Sequence, residues 1–170
     1  MGKLRKEALA EIEKSAGACE FYARQAEVYM QDKVIATEAV RSLVAYEPIG
    51  CVFTVMPWNF PIWQVFRFLA PGLMAGNVAL LKHATNVPRC ADVIAEIIRL
   101  AGIPEGVFDV LHIDNKDAAQ VIADPRVHAR DQQGRRDQRE QQVLGHVHEV
   151  EVARGEIVHR RRHEHLDLAG

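Results

Sequence analysis

Cys51-Val52-Phe53-Thr54-Val55-Met56-Pro57-Trp58-Asn59-Phe60-Pro61 decides how this chain is read. Its first six residues are short, β-rich and apolar on both faces, the pattern of a strand buried in a parallel sheet. Pro61 then opens a helical stretch to about Ala75, since its fixed φ suits a first helical turn, and Pro71 is expected to kink it. The same alternation continues downstream. Val78-Ala79-Leu80-Leu81-Lys82 reads as the next strand, and Pro88 to Ala101 as a helix with Gly102 at its C-terminal cap and Pro104 beyond. Val107 to Leu111 reads as a third strand and Asn115 to Ala123 as a short helix, with no further strand expected to cover the sheet edge. Upstream, Val40 to Tyr46 is a plausible strand closed by the turn Pro48-Ile49-Gly50. Lys3 to Gln31 spaces Leu4, Ala8, Ile12, Ala16, Cys19, Ala23, Ala26 and Met30 by threes and fours, which predicts one buried face of a long helix. Strands alternating with helices imply a parallel sheet, and in such sheets ligands sit at the carboxyl ends of strands. Attention therefore falls on the residues just after Met56 and Leu81.

The composition sets outer bounds. The chain has 170 residues, is 48% hydrophobic and carries a formal net charge of -2, enough for one domain and no global reason to expect nucleic acid or an anionic membrane. No apolar run approaches the roughly 20 residues of a membrane-spanning helix, and no secretory signal follows the basic start. Cys19, Cys51 and Cys90 are odd in number and far apart, which argues against a disulfide framework and fits a reducing, cytoplasmic setting. The average hides a seam. All six Phe, both Trp and all three Tyr precede Val127, whereas His128 to Gly170 has no aromatic and no Lys but six of the eight His. Such an Arg/His/Gln-rich segment has little apolar surface to set against ordering entropy, so it is expected to be disordered or loosely helical. The expected organisation is residues 1–127 as an ordinary folded segment, which the resemblance described next implies to be a partial nucleotide-binding domain, and 128–170 as an anomalous tail.

Three stretches carry a resemblance. Met56-Pro57-Trp58-Asn59-Phe60-Pro61, then Ala75-Gly76-Asn77-Val78 running into Leu80-Leu81-Lys82, then Ala101-Gly102-Ile103-Pro104-Glu105-Gly106-Val107, resemble the aldehyde dehydrogenase superfamily in order and spacing. The likeness is nearest to its succinate-semialdehyde dehydrogenase branch and spans roughly residues 1–127. It implies an α/β fold, a partial Rossmann-like parallel sheet with flanking helices, followed by an irregular tail. It implies NADP or NAD as cofactor, a small-molecule aldehyde as substrate and, for the intact family, a homo-oligomer. No metal, nucleic acid or membrane partner is expected. Met1-Gly2-Lys3 is similar to the family's Glu-Met-Gly-Lys motif cut at its methionine, so a preceding segment is expected to be missing.

The resemblance assigns roles to particular residues. Asn59 matches the asparagine whose amide N–H stabilises the oxyanion formed when a cysteine attacks the aldehyde, a contribution of about 3 kcal/mol for one such donor. Its other reading is the N-cap of the helix opening at Pro61, and both can hold. Lys82 matches the lysine that binds the adenosine ribose; alternatively it is a solvated lysine ending a strand. Pro57, Trp58, His83, Ala84 and Thr85 complete the expected cofactor contacts, with core filling as the alternative for Trp58. A neutral hydroxyl at Thr85, where an acidic side chain would repel a 2′-phosphate, permits NADP. Arg67 matches the arginine that holds a semialdehyde's distal carboxylate, a job its guanidinium fork suits; otherwise it snorkels or pairs on the helix.

Other family features are absent from the sequence. There is no nucleophilic cysteine motif, no Leu-Glu-Leu-Gly-Gly carrying the general base, and no Thr-Gly-Ser over the cofactor phosphates. The existing thiols read as inert core residues, and Glu140, Glu149 and Glu151 match nothing. The expectation is therefore a non-catalytic chain, either a remnant or a nucleotide-binding fragment that pairs with a second half. The codons of Gln132-Gln133-Gly134-Arg135, read two bases on, can spell Thr-Gly-Ser, which points to a truncated or frame-disrupted gene. His146-x-His148, His163-x-His165 and Arg160-Arg161-Arg162 read as solvated tail, since imidazole pairs without a third fixed ligand make poor metal sites. Nucleotide sequencing across Val127 is expected to reveal a slipped frame; a verified continuous frame with the same tail in relatives would overturn that expectation.

Overall fold

A computed structural model describes residues 2–131, 150–153 and 156–159 of the chain. Two compact units are present, one from residues 1–29 and 47–137 and one from 30–46 and 138–170. The first holds helix α1 over most of its length (Arg5–Met30) and then an alternating series. That series is β3 (Cys51–Met56), α2 (Trp63–Met74), β4 (Val78–His83), α3 (Pro88–Leu100), β5 (Phe108–Val110), α4 (Asn115–Ala123) and β6 (Val127–Asp131). In the second unit, β1 (Lys33–Ile35) pairs antiparallel with β2 (Ser42–Val44), and β7 (Val150–Ala153) pairs antiparallel with β8 (Glu156–His159). No helix among the described residues is long and apolar enough to cross a membrane.

The sheet is parallel throughout, in the order β5-β4-β3-β6. Its centre is apolar because β3 and β4 are covered on both faces: Val52, Phe53, Leu81 and Ala79 are almost fully buried. Val65, Phe66 and Leu69 of α2 and Ala91, Ile94 and Ile98 of α3 close the same core. Each such large side chain, fully buried, contributes about 1.5–3 kcal/mol. The chain steps from β3 to β4 to β5 in one direction and then returns through α4 to β6 on the far side of β3. The order reverses at β3, and the carboxyl end of the strand at such a reversal is where an open α/β sheet leaves a crevice.

The Ala75-Gly76-Asn77 motif has a structural explanation. Gly76 takes a φ of 81°, a left-handed conformation that ends α2 at low steric cost. Asn77 then ties three pieces together: its Oδ1 accepts from the N–H of Ile49 at 2.7 Å and of Gly50 at 3.1 Å, and its Nδ2 donates to the carbonyl of Gly72 at 3.2 Å. The turn before β3 and the end of α2 are thereby fixed together, and the Val78 N–H donates to Gly50 at 3.0 Å as the strands start. At the other end of the sheet, Asp114 caps α4 by accepting from Lys116 and Asp117 N–H groups.

Three expectations need correction. The sheet does not end at Leu111: Val127–Asp131 lies beside β3, with Cys51 opposite Val127 and Val55 opposite Asp131. The sequence His-Ala-Arg-Asp has no strand signature of its own, which is why a loose segment is expected from His128 onward. Its strand conformation comes from the open edge of β3 and from the turn at Asp124, whose carboxylate accepts from the Arg126 backbone and guanidinium and has its pKa held down to about 2. Val150–Ala153, with Glu151 in it, and Glu156–His159 are likewise strands. The remaining tail readings, at residues 132–135, 140, 146, 148, 149, 160–163 and 165, lie outside the described residues. The inward face of α1 differs in part: Cys19 packs against the core and Ala8, Ala26 and Met30 are half-buried, in line with the expected face. Leu4 and Ile12 are exposed, at 66% and 52%, as are Ala16 and Ala23, while Glu11 and Ser15 are buried. Alanines lie all round this helix, so their spacing marks no single face, and polar anchors help choose the contact. Pro71 lies inside α2, which continues past it to Met74.

The Asn77 cross-brace yields a test. Asn77→Ala is expected to lower stability by about 1–2 kcal/mol, read as a reduced urea midpoint with an unchanged m-value.

Candidate functional site

Parallel pairing brings Met56 opposite His83, so the segments after β3 and β4 leave the sheet side by side. After β3 come Pro57 to Ile62, the loop that carries Asn59. After β4 come Ala84 to Val87, leading to α3. Two clefts lie here. One of about 640 Å³ is lined by residues including Lys3, Glu11 and Lys14 of the N-terminal segment and Trp58, Asn59 and Trp63 of the loop and α2. The other, of about 320 Å³, is lined by His83, Ala84, Thr85, Pro88, His112, Ile113 and Asp114.

The Asn59 loop is held through its backbone. Helix α2 has Ile62 at its N-cap with no capping side chain of its own. The cap comes from 51 residues upstream: Glu11 Oε1 accepts from the Ile62 N–H at 2.7 Å and from the Trp63 N–H at 2.9 Å. A carboxylate at this point also lies at the positive end of the helix dipole. Its second oxygen pairs with the Lys3 ammonium, which donates to the Asn59 carbonyl at 3.2 Å and sits 4.1 Å from the centre of the Phe60 ring. The carboxylate and ammonium are both largely buried, with side-chain exposures of 3% and 11%. Lys14 covers the Trp63 ring at 4.0 Å. The Asn59 side chain itself makes no hydrogen bond among the described residues. Asn59 is therefore not the cap of α2; Glu11 holds that place, and the amide stays free.

His83 braces the loop from the sheet side. It is 6% exposed, its Nδ1 accepts from the Ala84 N–H at 2.9 Å, and its Nε2 lies 2.9 Å from the Pro61 carbonyl. The proton must then reside on Nε2, which donates to Pro61. Burial first, and the nearby Lys82 charge in addition, lower its pKa from the usual 6.5, while the Pro61 carbonyl and Glu11 oppose them. With both ring nitrogens engaged, His83 is a brace between the two loops as well as a wall of the smaller cleft.

The other expected residues divide between these clefts. Trp58 is 49% exposed and lines the larger one, so it is not core filling. Pro57 is half-buried at the strand end. Ala84 and Thr85 line the smaller cleft, Thr85 exposed. Lys82 lines neither; it is 3% exposed, not a solvated strand end, and its ammonium makes no hydrogen bond or ion pair among the described residues. Arg67 is exposed on α2, lines neither cleft and has no ion-pair partner among those residues. Neither of these clefts contains both Asn59 and Lys82; what joins their loops is the His83–Pro61 hydrogen bond. Burial raises the pKa of Cys19, Cys51 and Cys90, which keeps these thiols protonated and poorly nucleophilic. No group of three or more metal-ligating side chains occurs among the described residues.

Sequence reasoning missed Glu11, Gln64 and His112. Glu11 leaves a faint signal, a carboxylate on the contact side of α1 eight residues after Lys3. Gln64 lines the larger cleft with a buried Oε1 that lacks a donor among the described residues. His112 lines the smaller one and pairs with Asp92 at 2.7 Å.

The aldehyde dehydrogenase family profile matches residues 1–135. The chain belongs to the aldehyde dehydrogenase family. It is 57% identical over 129 residues to a probable succinate-semialdehyde dehydrogenase [NADP(+)] of Synechocystis, a match covering 76% of this chain and 28% of that one. It is 43% identical over 129 residues to the succinate semialdehyde dehydrogenase [NAD(P)+] Sad of Escherichia coli, covering 76% and 28%. Among solved structures, the succinic semialdehyde dehydrogenase of Streptococcus pyogenes in complex with NADP+ superposes with a TM-score of 0.75 at 34% identity, covering 77% of this chain and 29% of that one. The chain thus spans less than a third of the length of the relatives it matches.

The His83 brace has a pH signature. The folded protein keeps the imidazole neutral, whereas the unfolded chain takes up a proton near pH 6.5. The contribution of His83 is therefore fully present above 6.5 and declines as pH falls below it. His83→Gln, which can still donate to Pro61 but cannot titrate, is expected to show a flatter thermal midpoint between about pH 7 and 5. Superimposable profiles for the two proteins would count against a neutral, buried ring.

Proposed function

We propose that this chain carries the cofactor-side half of a site for NAD(P)-dependent oxidation of an aldehyde to its carboxylic acid, with succinate semialdehyde as the substrate. The single observation that carries the reading is the free Asn59 amide on a backbone held from both sides. A loop backbone fixed in advance reduces the reorganisation needed to bring the amide to the substrate oxygen as charge develops there, and one such donor is worth about 3 kcal/mol in the transition state. Arg67 is the residue proposed for the distal carboxylate. Its guanidinium is exposed and unpaired among the described residues, leaving its fork of donors available to a carboxylate.

The residues after β4 fit a nucleotide. Lys82 is a largely buried side chain whose ammonium has no hydrogen-bond or ion-pair partner among the described residues, which leaves its donors available to a ribose hydroxyl. Thr85 offers an exposed hydroxyl, and the N-terminus of α3 has Val87 at its N-cap with no side chain satisfying its N–H groups. A helix start of that kind accepts anionic oxygen. When bound, the dinucleotide supplies the acceptor for the substrate's hydride. The chain's own part is to hold the ribose at Lys82, to tolerate a 2′-phosphate beside Thr85, and to keep the Asn59 loop in register with it through His83. NADP is the cofactor this arrangement favours. The sequence holds none of the family's nucleophile or general-base motifs, so the chain by itself is proposed to bind cofactor without turnover.

Calorimetric titration tests this. NADP is expected to bind more tightly than NAD, Lys82→Ala to weaken both, and Thr85→Glu to reverse the preference by repelling the 2′-phosphate. No formation of NADPH above background is expected with succinate semialdehyde. Binding indifferent to Lys82 and Thr85 would sink the cofactor assignment, and turnover would sink the claim of inactivity.

A further inference from the structure

The backbone of residues 59–63 offers two carbonyls and two N–H groups that side chains from elsewhere engage. Lys3 holds the Asn59 carbonyl, His83 the Pro61 carbonyl, and Glu11 the N–H groups of Ile62 and Trp63. The side-chain amide between these anchors makes no hydrogen bond among the described residues. Clamping the backbone limits where the Asn59 side chain can reach, which lowers the ordering cost of a donor that must act at one point. We propose that Glu11, with Lys3 as its counter-ion, is a positioning residue for the Asn59 amide, a role that rests on the proposed oxyanion function of Asn59 for its chemical use.

Charge and length both matter at this position. The carboxylate has one oxygen for the two N–H groups and one for the ammonium. A glutamine keeps an acceptor for Ile62 and Trp63 but turns an N–H₂ toward Lys3, donor against donor, and so releases the ammonium from the Asn59 carbonyl. An aspartate is one methylene shorter and cannot span both sets of partners from the same helix position. Ser15 stabilises the local turn by donating to the Glu11 carbonyl at 2.8 Å, leaving the carboxylate for the loop. Lys14, on the same helix, lies over Trp63 and takes no share of the carboxylate.

The test uses the whole chain labelled with ¹⁵N. In Glu11→Ala, amide exchange at Ile62 and Trp63 is expected to speed up about tenfold or more, with the Asn59 Nδ2 group and the Asn59 backbone losing order on the nanosecond scale. Exchange in β4 reports the change in global stability, against which the local loss is read. Glu11→Gln is expected to keep most of the protection at Ile62 and Trp63 yet lose order at Asn59, and Lys3→Met to do the same. Lys3→Arg should restore Asn59, which a purely structural role for the pair would not require. Should Glu11→Ala fail to fold, the near-isosteric Glu11→Gln and the Lys3 pair of variants decide the matter. An Asn59 amide equally ordered in wild type, Glu11→Gln and Lys3→Met overturns the proposal. NADP titration of the same variants separates this from the cofactor reading: loss of loop order with unchanged NADP affinity supports the positioning role, whereas a wild-type chain that binds no NADP defeats the cofactor assignment and leaves the loop measurement to stand or fall by itself.

Discussion

The carboxylate of Glu11 receives the Ile62 and Trp63 N–H groups with one oxygen and the Lys3 ammonium with the other. Several other features depend on that contact. Helix α2 begins with no cap of its own, so its free N–H groups would otherwise be left to solvent or to nothing. The first helix, whose large apolar side chains are mostly exposed, meets the rest of its unit through Cys19, packed against the core, and the buried Glu11 carboxylate. Removing one member of a buried charge pair typically costs about 3–5 kcal/mol. Set against a usual net stability of about 5–15 kcal/mol, one side chain governs a sizeable fraction of it.

The same contact joins structure to chemistry. The sheet delivers two loops at one edge because β3 and β4 are parallel and in register, with Met56 opposite His83. Register alone places the loops near each other without fixing their conformations. Glu11 and Lys3 fix the first loop from outside the sheet, and His83 fixes it from the second loop. The buried imidazole is neutral because burial disfavours its charged form, and only the neutral ring can both accept from Ala84 and donate to Pro61. A polar residue that sequence reading assigned to cofactor contact thereby has a mechanical task between the loops.

How much of this was legible beforehand differs by element. The alternation of strands and helices from Cys51 to Ala123 was readable because the elements carry their own signals: short apolar runs for β3 and β4, Pro88 at the start of α3 and Gly102 after its end. Asn59, Lys82, Thr85 and Arg67 could be singled out because the family resemblance matches them to positions with a role, and Lys82 at a strand end and Arg67 in an apolar helix also stand out by residue type. Strand β6 was not readable, because His128, Ala129, Arg130 and Asp131 favour no strand locally and are extended only because β3 has an edge to fill. The face of α1 was partly misread because alanines surround the helix and a buried glutamate mimics a solvated one in any one-dimensional pattern.

The amino-acid sequence by itself determined the parallel α/β series, the family, and the identity of the residues that can do chemistry, since those follow from local propensity, hydrophobic pattern and side-chain type. Only the tertiary structure decided which of those residues meet. It set Glu11 against a helix start 51 residues away, turned His83 into a link between loops, left the Asn59 amide free, and buried Lys82 without a partner among the described residues. The physical reason is that hydrogen bonds and ion pairs between distant segments depend on distances of a few ångströms, which packing sets and local sequence does not encode.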